Sequence, residues 1–264
     1  MHGKRQNPAS RQSRCRVDAL ATAARWGLKV GGPAVLLSMS LPVFPDDTSG
    51  SQDRVPLCNG LIVTVNLNLG ETPGSGPDVI LGTPGDDVIR GFGGDDTICG
   101  MDGDDVLHGN DGDDWIDGGD GVDDIRGGRG FDILLTGSGA TVGTTSRVLG
   151  GADDDLIIGG PDADVLRGGR AEDVIFGNGG ADLIFGDRND DFLYGGPGAD
   201  RIFGGQSGDD LYGGPGADVL FGGSENDALF GEGGDDKLNG GQGRDYCEGG
   251  GQESDRNRDC QVVF

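Results

Sequence analysis

Residues 82–135 read GTPGDDVIR, GFGGDDTIC, GMDGDDVLH, GNDGDDWID, GGDGVDDIR and GGRGFDILL, in successive blocks of nine. A weaker block, PGSGPDVIL, precedes them at 73–81, and the register resumes at Gly150 for eleven blocks to Glu248. Position six is Asp in all eighteen blocks: Asp78, Asp87, Asp96, Asp105, Asp114, Asp123 and Asp132, then Asp155, Asp164, Asp173, Asp182, Asp191, Asp200, Asp209, Asp218, Asp227, Asp236 and Asp245. Position eight is Ile or Leu in seventeen, Cys247 being the exception, and position one is Gly in seventeen, Pro73 being the exception. Three positions held in phase over that length mark a stacked repeat architecture.

The block spells out its own conformation. Gly at positions one, two and four permits positive φ and close backbone approach, so the first six residues are expected to form a tight turn. Residues seven to nine are expected to form a minimal strand, whose alternation turns position eight to one face. One aliphatic residue in nine builds no core alone, but stacked coils bury a continuous ladder of Ile and Leu. Two blocks make one coil of 18 residues with two strands and two turns. In the second array, position four alternates: Ala171, Asn189, Ser207 and Glu225 alternate with Gly180, Gly198, Gly216 and Gly234. A two-sided roll predicts that superperiod, because alternate turns lie on opposite edges; tandem duplication of an 18-residue unit gives it too. The expected fold is all-β, a parallel β-roll or β-helix solenoid.

Composition agrees. Of 264 residues 57 are Gly, only 34% are apolar, and 46 acidic against 20 basic side chains give a net charge of −26. Too little apolar side chain is present for a conventional packed core. Gly-X-Y triplets are missing, which excludes collagen. A polyanion is repelled by nucleic acid and by anionic membranes, so cations are the natural partners. Stacking coils roughly 4.8 Å apart brings Asp residues 18 apart, such as Asp87 and Asp105, close together. Like charges at about that distance repel by about 1 kcal/mol in water and several-fold more near a protein surface. A second acid often stands at position five, as at Asp86, Asp95, Asp104 and Asp113. Such a stack calls for a hard divalent cation that takes carboxylate and carbonyl oxygens. Ca²⁺ suits this better than Mg²⁺, which demands stricter octahedral geometry. No His or Cys stands at a ligand position, which disfavours zinc and copper.

The eighteen blocks closely resemble the hemolysin-type calcium-binding repeat, the RTX nonapeptide G-G-x-G-x-D-x-U-x. The resemblance covers 73–135 and 150–248. It implies a parallel β-roll with several Ca²⁺ ions between successive turns on each edge, ligated by the position-six Asp and neighbouring carbonyls. Asp153, Asp162, Ala171, Asn189, Ser207 and Glu225 depart from its glycine at position four, so weaker sites are expected at their turns. Members of the family that are proteases, lipases or toxins carry their activity in a separate domain. Here the remainder is too short for one, and there is no H-E-x-x-H, no G-x-S-x-G and no P-loop. The chain is therefore expected not to be an enzyme.

The flanks complete the organisation. Residues 1–30 carry seven basic side chains and one acid, and an apolar stretch, Val30 to Phe44, follows. Residues 1–50 read as a secretory targeting segment or, alternatively, as a basic tail or uncleaved anchor. Residues 51–72 and 249–264 are expected to cap a first array at 73–135 and a second at 150–248. Between them, 136–149 reads either as a degenerate block with a five-residue insertion, Ser146 in place of the Asp and Val148 in place of the aliphatic, or as a plain loop separating two rolls. Outside the targeting segment four Cys remain, which suits an oxidising compartment. A Cys58–Cys99 bridge would staple the N-terminal segment across the first coils, and a Cys247–Cys260 bridge would clamp the end; four free thiols are the alternative.

Position nine is aromatic in seven consecutive blocks, Phe176, Phe185, Tyr194, Phe203, Tyr212, Phe221 and Phe230. These rings either stabilise the sheets by stacking or offer a glycan, cell-surface or self-association surface. The function expected is that of a secreted, extracellular calcium-binding roll, with no nucleic-acid partner and no membrane insertion, in a structural, adhesive or calcium-responsive role. The alternative is the detached calcium-binding portion of an RTX toxin or hydrolase exported by a type I route, to whose signal the apolar end Val262–Val263–Phe264 would belong.

Overall fold

The computed structural model describes residues 57–138, 145–250 and 256–260. The targeting segment read at 1–50 and the apolar end at 262–264 lie outside the described residues. The chain winds into a solenoid of two parallel sheets. The eleven-stranded sheet runs from Val65–Asn66 and Val79–Leu81 to Tyr246–Glu248, and the ten-stranded sheet from Val88–Gly93 to Arg256–Arg258. Within each sheet, neighbouring strands come from successive coils, so Ile80 pairs with Ile98 and Ile89 with Leu107. Among the described residues no helix is long and apolar enough to cross a membrane.

The inward residue is position eight throughout. Ile80, Ile98, Ile116, Leu134 and Ile157 begin one file, and Ile89, Leu107, Ile125, Val148 and Leu166 the other. Every one of these is fully or almost fully buried. Val65 covers one end of the double file and Cys247 stands in it at the other. A ladder one residue wide buries each aliphatic between its neighbours above, below and across, which is how a chain so poor in apolar residues still removes a core from water.

The strands are longer than the block suggested. Many run six residues, as Val88–Gly93 and Leu183–Arg188 do, and so continue through positions one to three. Phe92 still pairs with Asn110, and Gly93 with Asp111. The tight turn is confined to positions four to six. Left-handed φ appears at position two, in Phe92 (73°) as in Gly196 (97°), and at position four. Position one does not need it.

The two arrays form one roll. Leu134 pairs with Ile157 and Ile125 with Val148, each 23 residues apart instead of 18. The coil that holds the five extra residues therefore keeps its place in both sheets. Thr136 and Ser138 hold positions one and three of that coil, with Ser138 bridged to Asp120, which corrects the reading of 136–140 as the insertion, because Thr136 to Ser138 belong to the coil itself.

Both ends are tied. Leu57–Cys58 and Leu61–Ile62 form a small antiparallel hairpin. Cys58 is bonded to Cys99 on the outer side of the eleven-stranded sheet, where both pack in a second apolar cluster with Trp115, Ile133 and Leu156. At the far end, Arg256–Arg258 extends the ten-stranded sheet beside Lys237–Asn239, and a Cys247–Cys260 bond joins this last strand to the core file.

Candidate metal centre

The turns leading into the ten-stranded sheet form edge A, and those leading into the eleven-stranded sheet form edge B. Edge A carries Asp87, Asp105, Asp123, Asp164, Asp182, Asp200, Asp218 and Asp236. Edge B carries Asp78, Asp96, Asp114, Asp132, Asp155, Asp173, Asp191, Asp209, Asp227 and Asp245. The sequence-predicted residues are thus brought together as two ladders.

Within a ladder the contacts repeat. At nearly every rung the backbone N–H of the position-six Asp donates to Oδ1 of the Asp one coil further on: Asp87 to Asp105 at 2.8 Å, Asp96 to Asp114 at 2.8 Å and Asp182 to Asp200 at 2.8 Å. Edge B crosses the insertion unbroken, Asp132 donating to Asp155 at 3.0 Å. One carboxylate oxygen is thereby used. The other, Oδ2, is buried without a hydrogen-bond partner at rung after rung, including Asp96, Asp105, Asp114, Asp123, Asp132, Asp155, Asp173, Asp182, Asp191, Asp200, Asp209, Asp218 and Asp227.

The surroundings of that oxygen explain the glycine at position one. A Cβ built on Gly91 would stand 2.1 Å from Oδ2 of Asp96 and 2.8 Å from the Gly109 carbonyl oxygen. On edge A, a Cβ on Gly100 would stand 2.3 Å from Oδ2 of Asp105 and 2.4 Å from the Gly118 carbonyl. A side chain is excluded there because the carboxylate occupies its space, with the next coil's carbonyl close by.

Unpaired burial is costly for a carboxylate and is relieved by protonation or by a cation. Burial is the leading cause that pushes these groups up, Asp132 and Asp182 to about 8, Asp155 and Asp191 to about 9, and Asp200 and Asp227 to about 6. Hydrogen bonds from backbone N–H groups oppose the rise, and at most rungs neighbouring Asp charges add to it. Among the described residues no three His, Cys, Asp or Glu side chains converge on one point. A cation here would draw on one or two carboxylates and on backbone carbonyls, an all-oxygen set suited to a hard ion.

Some rungs fit an ion less well. Oδ2 of Asp78 accepts from the Gly74 N–H at 2.7 Å, and Oδ2 of Asp87 from the Thr83 N–H at 2.6 Å and hydroxyl at 3.0 Å. Asp164 is likewise satisfied by protein donors.

The position-five acids do something the sequence did not suggest. They build a second, outer chain of opposite polarity. Oδ1 of Asp86 accepts the N–H of Asp104 at 3.0 Å, Asp113 that of Phe131 at 3.0 Å and Asp154 that of Glu172 at 3.1 Å. The substituted position-four residues all lie on edge B apart from Asp162. Ala171, Asn189, Ser207 and Glu225 nevertheless keep the left-handed turn, with φ of 73°, 70°, 82° and 79°.

Two ladders of buried carboxylates, each with an oxygen left over and carbonyls beside it, are what a calcium-binding repeat places on its edges. A family model described as RTX calcium-binding nonapeptide repeat (4 copies) matches in overlapping segments at 72–107, 100–134, 149–184, 158–193, 176–211, 185–220 and 212–247, more than half of the chain. The chain belongs to the RTX calcium-binding repeat family. No curated protein matches it. As an RTX repeat protein it is a calcium-binding chain, and many of its hallmark Asp, Asp96, Asp105 and Asp182 among them, carry the partnerless Oδ2, while hallmark glycines such as Gly91 and Gly100 admit no Cβ.

The position-nine rings of this RTX chain stack mainly on one another. Phe185–Phe203 and Phe203–Phe221 are face to face at 5.1 Å, and Tyr212–Phe230 at 4.8 Å. Phe192, at position seven, inserts between Phe176 at 6.1 Å and Tyr212 at 5.2 Å. Such contacts along the axis add to sheet stability.

Proposed function

We propose that this chain is a secreted, extracellular calcium-dependent β-roll. Its position-six Asp ladders hold Ca²⁺ between successive turns, and it serves in a structural, adhesive or calcium-responsive role. The observation that carries this is the recurrent Oδ2, buried and without a donor on both edges. Bound calcium supplies positive charge and takes up the oxygens that the turns leave unused. The chain's own residues do the rest. Position-one glycines admit the carboxylates, Oδ1 ties each coil to the one before it, and the Ile and Leu files close as coils stack.

In this reading, the acidic chain stays expanded where calcium is scarce and folds where it is plentiful, because binding energy available only to the folded form becomes folding energy. The thresholds of extracellular modules, roughly 10⁻⁴–10⁻³ M, suit folding outside the cell. The two disulfides and the basic-then-apolar N-terminal sequence support export to an oxidising compartment. The chain does no catalysis of its own.

Circular dichroism and small-angle scattering of the purified protein, with 5 mM Ca²⁺ or with chelator at pH 8, test the reading. Compaction and gain of β-signal with calcium are expected. An identical folded state in chelator would defeat it.

A further inference from the structure

The coil that carries the insertion breaks the edge A ladder. Its position six is Ser146 and its position one is Thr136, where flanking coils have Asp and Gly. The two substitutions are coupled. At Gly118, one coil earlier, a Cβ would lie 2.2 Å from Oδ2 of Asp123, so Thr at position one fits only where the same block lacks the carboxylate. Thr136 is 3% exposed and Ser146 6%.

Between them the pair takes over the carboxylate's contacts. Ser146 Oγ accepts the Asp123 N–H at 3.1 Å, the part played elsewhere by Oδ1. The Thr136 hydroxyl donates to Oδ2 of Asp164 at 3.1 Å, where that oxygen also accepts the Gly160 N–H at 2.9 Å. The backbone N–H of Ser146 reaches the same carboxylate. The Asp164 oxygen corresponding to the partnerless ones of Asp182 and Asp200 is thus provided for by the protein alone.

We propose that Thr136 and Ser146 form an ion-free rung, a neutral hydroxyl pair that replaces calcium at one level of edge A and divides its ladder into a short string at Asp87–Asp123 and a longer one at Asp164–Asp236, while edge B stays continuous. This rests on the reading of the ladders as calcium sites. The rung keeps both sheets in register beside the insertion without a charge that needs an ion.

The test is a calcium count on the full disulfide-bonded chain, by equilibrium dialysis and atomic emission at saturating Ca²⁺, for two paired exchanges. Thr136→Gly with Ser146→Asp restores the standard pair and is expected to bind at least one more ion per molecule than the wild type. The reverse transplant one coil earlier, Gly118→Thr with Asp123→Ser, is expected to bind at least one fewer. Ser146→Asp alone crowds Thr136 and is expected to lower the thermal midpoint, which the added Thr136→Gly recovers. If the wild type binds calcium and the paired exchanges leave the count unchanged, the ion-free rung is wrong and the calcium reading stands. If the wild type binds none, both fall.

Discussion

The two edges share an inner ladder and, along the second array, differ in most of what lies outside it. Along the second array, edge A repeats small neutral residues at position five, Ala163, Ala181, Ala199 and Ala217, and Pro161, Pro197 and Pro215 at position three. Edge B puts Asp154, Glu172 and Asp190 at position five and carries Arg170, Arg188 and Arg244. Yet the inner groups behave alike. Asp182 on edge A and Asp209 on edge B are both pushed up to about 8, burial being the leading cause in each. The outer layer is free to vary because the carboxylate is enclosed by position-one glycine, by its own backbone and by the neighbouring coil. What is fixed is a set of backbone contacts.

The largest effect therefore concerns what the edges have in common. Without calcium, burial raises ladder groups such as Asp96, Asp132 and Asp191 to about 6, 8 and 9 in the folded state, against an unfolded value near 4. A group whose pKa is raised by folding favours the folded state below its unfolded pKa and loses that contribution as pH rises through its folded pKa. The calcium-free chain should therefore be expanded at pH 9 and regain compactness towards pH 5, when protonation does part of the cation's work. With saturating calcium the dependence inverts, because protons compete with the ion. A radius of gyration in chelator that is the same at pH 5 and pH 9 would break the link between burial and ion demand.

Next in size come substitutions that separate the inner ladder from the outer chain. Asp191→Asn on edge B and Asp182→Asn on edge A should each reduce bound calcium and lower calcium-loaded stability by about 1–3 kcal/mol. Asp190→Asn, one residue away in the exposed chain, should stay within about 0.5 kcal/mol. Equal losses at Asp190 and Asp191 in chemical denaturation would erase the distinction between the layers. Gly109→Ala puts a Cβ 2.0 Å from Oδ2 of Asp114, whereas Gly85→Ala meets no atom nearer than Thr83 Oγ1 at 4.0 Å. The first should cost about 1–3 kcal/mol of strain and the second should be close to neutral.

Much of this was legible in the sequence because a nine-residue phase transfers directly to a stacked coil. The inward Ile and Leu and the opposite placement of alternate turns follow from position in the repeat, whereas the sequence left bridged and free cysteines as alternatives and the structure pairs Cys58 with Cys99 and Cys247 with Cys260. What period alone does not reveal is which atoms meet across a coil. Position-one glycine reads as a conformational requirement, but in the structure it is a steric one, imposed by the Asp five residues later. Position-five acids read as extra ligand charge, yet they accept backbone hydrogen bonds. Thr136 looked like part of an insertion. Its coupling to Ser146 becomes visible only when positions one and six of one block are seen to touch.

The smallest expected effect sharpens the contrast at position four. Ala171 and Glu225 hold the left-handed turn on edge B that glycine holds at Gly180 and Gly234 on edge A. A non-glycine residue at such φ bears a cost of roughly 1 kcal/mol that glycine escapes. Ala171→Gly and Glu225→Gly should therefore each raise stability by about 0.5–1 kcal/mol, less than the full relief because glycine also loosens the unfolded chain. Gly180→Ala should act in the opposite direction and more strongly, since its Cβ would also approach the Asp162 carbonyl carbon to 2.5 Å. If the edge B glycine variants gain stability without a change in calcium count, the outer turn shape and the inner carboxylate are separable. If they also gain an ion, the substituted turns were limiting the sites beneath them, and the two edges differ in occupancy as well as in dress.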